Sequence, residues 1–145
     1  MFQDILVATD GSLLSEAALD KAMIFAREAG AKVTVLTVTE PFHVVTTDSK
    51  QLSDTREAYQ RAVKAEAARY LVEAERKAKA QGVQCHVIQV EHEQPYQAII
   101  DKAEELGCDL ITMASHGRRG VSALVLGSVT NKVLTHTAIP VLVYR

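Results

Sequence analysis

CDLITMASHGRRGVSALVLGSVTNKVLTHTAIPVLVY, residues 108–144, carries three local signals in succession. Leu110 to Ala114 is an apolar run that reads as a buried strand. It feeds a loop containing Gly117 and Gly120, and Gly127-Ser128-Val129-Thr130 then opens a helix-like segment. Pro140 breaks the chain before a closing strand, Val141 to Tyr144. A strand, a glycine loop and a helix start together make an anion site. Glycines let backbone N–H groups approach a phosphate, and the helix N-terminus adds partial positive charge.

Upstream, the chain alternates between strand and helix patterns. Phe2 to Thr9 reads as a first strand buried on both faces, stopped by Thr9-Asp10-Gly11-Ser12. Ser12 or Ser15 can cap the helix that follows, whose stripe is Ala18, Ala22, Phe25, Ala26 and Ala29, with Gly30 as its end. Lys32 to Thr39 is a β-branched second strand, closed by Pro41. Pro41 to Ser53 shows no periodicity, and Asp54 with Glu57 resembles a capping box that starts a long helix to Gln81. Its stripe is Tyr59, Val63, Ala67, Tyr70, Leu71, Ala74 and Ala78. Val83 to Val90 is a third strand. Pro95 sits near the start of a third helix with the stripe Ile99, Ile100, Ala103 and Leu106. Asp109 to Ser115 is the fourth strand, and Ser128 is expected to cap a fourth helix through about Thr135.

This β-α alternation predicts an α/β fold, an open five-stranded parallel sheet with helices on both faces. The expected strand order is the Rossmann-like 3-2-1-4-5. Ligands of such sheets sit outside the carboxyl ends of the strands, where strand order reverses. The segments Thr9 to Ser12 and Ser115 to Gly120 are the natural pair to flank that crevice.

The 145 residues fit one domain, 1–145, with 48% apolar and 23% charged residues. A net charge of −2 argues against non-specific binding to nucleic acid or an anionic membrane, which needs a basic face. The N-terminal apolar run is too short for a signal peptide or a membrane span. Cys85 and Cys108 show no metal spacing and read as buried thiols of a reducing, cytoplasmic compartment.

ILVATDGSLLSEAAL at the start, with DLITMASHGRRGVSALVLGSVTNKVL and IPVLVYR at the end, resembles the universal stress protein family along the whole chain. The nucleotide-binding branch of that family carries a glycine, two residues, a second glycine, nine residues, then Gly-Ser or Gly-Thr. Here the second glycine is Gly117, the nine residues are Arg118 to Leu126, and Gly-Ser is Gly127-Ser128. The first position is Ala114, a departure. Its methyl either crowds a ribose or is accommodated by a backbone that stays in the β region; the intact remainder of the motif favours accommodation.

The resemblance implies a site for ATP, or ADP or AMP, with Mg²⁺. The base would lie near Ala8, Thr9, Asp10 and Val38, and the sugar beside Met113 and Ala114. Ser115, His116 and Gly117 would turn beside the phosphates, the loop continuing through Arg118, Arg119 and Gly120. Gly127, Ser128, Val129 and Thr130 would present N–H and hydroxyl donors. Each residue also has a plainer reading. Asp10 can make an Asx-turn with Ser12, Ser128 can be a simple N-cap, and the two arginines can be solvated. Val121, Leu124, Val125 and Leu126 read as packing anchors. The resemblance further implies a homodimer paired through Val141–Tyr144, an edge open to a second copy.

No P-loop, GxSxG elbow, HExxH or kinase motif is present, and no carboxylate–His pair is placed for acid–base work. The expectation is a regulatory module with at most slow ATP hydrolysis, which needs only phosphate positioning and a metal. The alternative is a dimeric interaction protein of the same fold that binds no nucleotide.

Overall fold

The computed structural model describes residues 1–43, 49–117 and 125–145, with residues 49–53 described by backbone alone. Its elements are β1 (Asp4–Ala8), α1 (Leu13–Ala29), β2 (Lys32–Thr39), α2 (Ser49–Gln81), β3 (Cys85–Glu91), α3 (Pro95–Glu105), β4 (Leu110–Ala114), α4 (Ser128–His136) and β5 (Val141–Tyr144). The five strands form one sheet in the order β3-β2-β1-β4-β5, as expected. Every neighbouring pair is parallel.

β1 is the central strand. Val7 is paired on one side with Val35 of β2 and on the other with Thr112 of β4. Its side chains alternate between two cores. Ile5 and Val7 pack with Leu19, Ala22 and Met23 of α1 and Leu71, Ala74 and Ala78 of α2. Leu6 packs on the other face with Ile99 and Ala103 of α3 and Val133 of α4. A strand covered on both faces needs apolar side chains at every position, which is why Ile5-Leu6-Val7 is a continuous run.

α1 begins at Ser12, whose hydroxyl accepts from the Ser15 amide, and ends at Gly30 in the left-handed region at φ 67°. Its buried side includes Leu19 and Met23, while Ala29 is exposed. α2 starts at Ser49, upstream of the expected capping box, so Asp54 and Glu57 lie inside the helix and are exposed. Lys50, Gln51 and Leu52 are good helix formers with no Pro or Gly among them, and the helix runs through them. In α3, Leu106 is the C-cap and is 39% exposed rather than part of the stripe.

Two polar features sit within the packing. Lys77 of α2 reaches α1, with Nζ 2.9 Å from Glu16 Oε2 and 3.0 Å from Asp20 Oδ1. Burial alone would lower the Lys77 pKa, but the hydrogen bonds to Glu16 and Asp20 outweigh it and the net shift is upward. Thr112 is fully buried in β4, and its hydroxyl lacks a hydrogen-bond partner. Both thiols are free; Cys108 is buried as expected but Cys85 is only half-buried, and desolvation pushes their pKa values up to about 12 and about 11. Among the described residues, no helix is long and apolar enough to cross a membrane.

Thr112→Val is expected to raise stability by about 1 kcal/mol, read as a higher urea midpoint, because the change removes an unsatisfied buried hydroxyl. Lys77→Ala is expected to cost about 1–3 kcal/mol, between the values for exposed and buried pairs. A raised lysine pKa stabilises the fold below the ordinary lysine range. That contribution should persist through neutral pH and fade in alkaline urea titrations, as pH rises through the folded-state value.

Candidate functional site

The crevice at the carboxyl ends of β1 and β4 is the switch point of this sheet, because the chain order runs in opposite directions on its two sides. On the β1 side the turn is held by hydroxyls. Thr9 and Ser15, 5% and 4% exposed, share a hydrogen bond of 2.7 Å between their side chains. The Asp10 amide donates to Ser15 Oγ at 3.1 Å, and the Gly11 amide donates to Thr9 Oγ1 at 3.3 Å. Thr37 of β2 donates to the Thr9 carbonyl at 3.1 Å. The Ser12 amide donates to Asp10 Oδ1 at 3.0 Å, the local turn that the plainer reading of Asp10 anticipated. Gly11 adopts φ 78°, which side chains rarely tolerate.

On the β4 side the strand end is fastened to α4. The Gly127 amide donates to the Ser115 carbonyl at 2.7 Å, and the buried Thr130 hydroxyl donates to the Ala114 carbonyl at 2.8 Å. The Ser115 amide donates to the Tyr144 carbonyl at 2.7 Å, and its hydroxyl shares a 3.1 Å hydrogen bond with His116 Nδ1. Gly127 is the N-cap of α4 and Ser128 is its first residue, so Ser128 does not take the capping position expected of it. A glycine cap brings no side chain between α4 and the strand end, which lets the backbones meet. The first bond inside the helix runs from the Asn131 amide to the Gly127 carbonyl at 2.9 Å. The amides of Ser128, Val129 and Thr130 precede it and have no intrahelical partner.

Gly117 and Gly127 share a reason for being glycine, and it is space, since neither has a positive φ. A side chain on Gly117 would meet the Asp10 carboxylate. A Cβ on Gly127 would lie 2.9 Å from His116 Cα and 3.3 Å from the Ser115 carbonyl oxygen. The β1 turn, the β4 turn and the start of α4 are therefore in mutual contact.

The structure thus brings together Ala8, Thr9, Asp10, Met113, Ala114, Ser115, His116, Gly117, Gly127, Ser128, Val129 and Thr130. Val38 lies on β2, two residues past the Leu36 carbonyl that accepts from the Thr9 amide. Arg118, Arg119 and Gly120 lie outside the described residues, as do Val121 and Leu124. Val125 is 67% exposed and is not a packing anchor. Two expected donors are already engaged: the Gly127 amide bonds Ser115 and the Thr130 hydroxyl bonds Ala114. Both fasten the end of β4 to α4, and the amides of residues 128–130 remain without an intrahelical partner for an anion to use. Ala114 keeps strand backbone, paired with Tyr144, with its methyl buried. The backbone at this departure from the motif thus stays in the strand.

The sequence reading missed the role of Ser15, whose hydroxyl braces the β1 turn as well as lying in α1. The clustering of Thr9, Ser12 and Ser15 around Asp10-Gly11 is the signal that could have revealed it. Among the described residues, no group of three or more His, Cys, Asp or Glu is placed to hold a metal ion. A depression of about 790 Å³ lies at the opposite end of the sheet, lined by Gly30, Gly82 and Gly107, where three helices end. Helix C-termini carry partial negative charge and do not suit an anion.

A model of the universal stress protein family matches residues 1–145. The universal stress protein YxiE of Bacillus subtilis is 36% identical, over 100% of this chain and 100% of its own. The solved structure of protein MJ0577 of Methanocaldococcus jannaschii is similar with a TM-score of 0.84 at 27% identity, covering 99% of this chain and 95% of that one. A universal stress protein crystallised in complex with cAMP is similar with a TM-score of 0.73 at 26% identity, covering 99% and 97%.

Gly127→Ala is expected to destabilise by about 1–3 kcal/mol in urea titration, because the new methyl meets backbone that cannot step aside. Gly117→Ala should cost less, since the Asp10 carboxylate it meets is the end of a side chain. Equal losses in the two variants would contradict this account of the glycines.

Proposed function

Because the chain belongs to the universal stress protein family, we propose that it binds an adenine nucleotide at the β1–β4 crevice and works as a homodimeric regulatory module. ATP is the favoured occupant, with ADP or AMP as smaller ones, and residues 1–145 act as one domain. The observation that carries this reading is the start of α4. Three successive amides, Ser128 to Thr130, come ahead of the first intrahelical bond, beside a turn where glycine lets the backbone and the Asp10 carboxylate approach closely. The similarity to a protein in complex with cAMP favours an adenine nucleotide over other phosphates.

Ala8, Thr9, Asp10 and Val38 would border the base, and Met113 and Ala114 the sugar. Ser115, His116, Gly117 and the Ser128–Thr130 amides would face the phosphates. A nucleotide triphosphate brings its own charge, and the Asp10 carboxylate beside Gly117 is the group that would meet a Mg²⁺ ion carried with it. Among the described residues, the Ser115–His116 pair has no third group recorded to orient the imidazole, and the proposal includes no efficient catalysis. Two free thiols agree with a cytoplasmic setting. β5 is an outer strand of the sheet, half-buried along its length, and its free edge would pair with β5 of a second copy.

One observation favours the alternative, a dimeric interaction protein that binds no nucleotide. The Gly127 amide, expected as a phosphate donor, is already bonded to the Ser115 carbonyl.

The readings part on direct measurement. Purified protein, denatured and analysed by mass spectrometry, should release an adenine nucleotide, and millimolar Mg-ATP should raise the melting temperature. Gly117→Val should abolish that shift while the protein still folds, and Ser128→Ala should weaken it less. Sedimentation should give the mass of two chains. No released nucleotide together with no thermal shift would leave the interaction-protein reading in possession.

A further inference from the structure

Tyr70 lies midway along α2, on a stripe whose spacing reads as packing alone. Its ring does more than fill a core. A side-chain carbon on Gly11 would collide with Cζ and Cε1 of that ring and come within 2.5 Å of Cε2. The ring tip therefore rests directly on the Gly11 backbone. The Tyr70 hydroxyl donates to Glu66 Oε1 at 2.5 Å, one helical turn away, which fixes the ring's tilt. Two turns further along the same stripe, Lys77 grips Glu16 and Asp20 at 2.9 and 3.0 Å. α2 thus holds the entry to α1 from two points, one before Ser12 and one after it.

Gly11 is the soft joint of the β1 turn. It has no side chain, it sits at φ 78°, and its own amide makes a long bond of 3.3 Å. Its neighbours are held more firmly: the Asp10 amide by Ser15 and the Ser12 amide by Asp10. Rotation at Gly11 would carry the Asp10 carboxylate away from Gly117. Such a rotation needs free volume beside the Gly11 Cα, and the Tyr70 ring occupies it.

We propose that Tyr70 is a positioning residue of the crevice: its ring immobilises Gly11 and thereby keeps the Asp10 carboxylate against Gly117. The ligand in this statement rests on the nucleotide reading above; the geometry rests on the chain of contacts Tyr70–Gly11–Asp10–Gly117 alone. Tyr70 touches no reacting atom. It acts through Asp10, setting the width of the opening between the β1 and β4 turns where a sugar and phosphates would lie.

The test compares full-length wild type with Tyr70→Phe, Tyr70→Ala and Leu71→Ala. Leu71 neighbours Tyr70 on α2 and is buried in the core beneath the sheet, so its truncation costs stability without uncovering Gly11. Amide resonances of Gly11 and Gly117 are followed by NMR, and Mg-ATP affinity by calorimetry. Tyr70→Ala should shift the Gly117 amide and weaken Mg-ATP by at least about tenfold, the scale expected when a positioned group is displaced. Tyr70→Phe keeps the ring and should restore both. Leu71→Ala should lower the melting temperature and leave both unchanged.

An unmoved Gly117 amide in Tyr70→Ala overturns the proposal, as does an equal shift in Leu71→Ala. If wild type binds no Mg-ATP, the nucleotide reading fails, while the resonances still decide whether Tyr70 positions Asp10. Should Tyr70→Ala not fold, Tyr70→Val carries the same comparison.

Discussion

β1 is bonded along both edges and covered on both faces, and the placement of the crevice follows from that constraint. A strand so enclosed cannot slip in register without exposing its whole apolar run. Its carboxyl end is consequently a fixed point, and the turn from Thr9 to Ser12 leaves it in one direction. β4 pairs with it in parallel and carries its own turn to the same edge. The two turns diverge from adjacent strands, and the opening between them is a product of topology before any side chain is chosen.

Chemistry then narrows that opening. Short polar side chains do most of the work: Thr9, Ser15 and Thr37 tie the β1 turn to its helix and its neighbouring strand, while Thr130 ties α4 to β4. Each is nearly fully buried, so each hydroxyl that finds a partner avoids a desolvation penalty and also fixes a loop. Glycine completes the arrangement at 117 and 127 by letting carboxylate and backbone come where a methyl would stand. The result is a preorganised rim that includes the amides of the first turn of α4, which have no intrahelical partner.

Much of this was legible in the sequence. The spans of β2 and β5 and the ends of α1 and α2 coincide with their expected limits, because β-branched runs, Pro140, Gly30 and Gly82 are strong local signals. The parallel sheet, with the turns after β1 and β4 at the same edge, follows from β-α alternation. What escaped is what depends on competition between signals. Asp54 and Glu57 have capping chemistry, yet α2 begins earlier at Ser49. Ser128 has it too, but the capping position went to Gly127, which allows the closer approach. The pairing of Tyr70 with Gly11 spans fifty-nine positions in the chain, and no local pattern announces which glycine a helix will lean upon.

The two sulfurs carry a consequence of their own. With pKa values pushed to about 11 and about 12, Cys85 and Cys108 exist at neutral pH almost wholly in the protonated form. Peroxides and disulfides react with the ionised form of sulfur, which burial disfavours at both positions. At these two positions the folded protein is chemically quiet. Oxidation at Cys85 or Cys108 of the folded protein would therefore be slow, and unfolding, by restoring an ordinary thiol, would speed it.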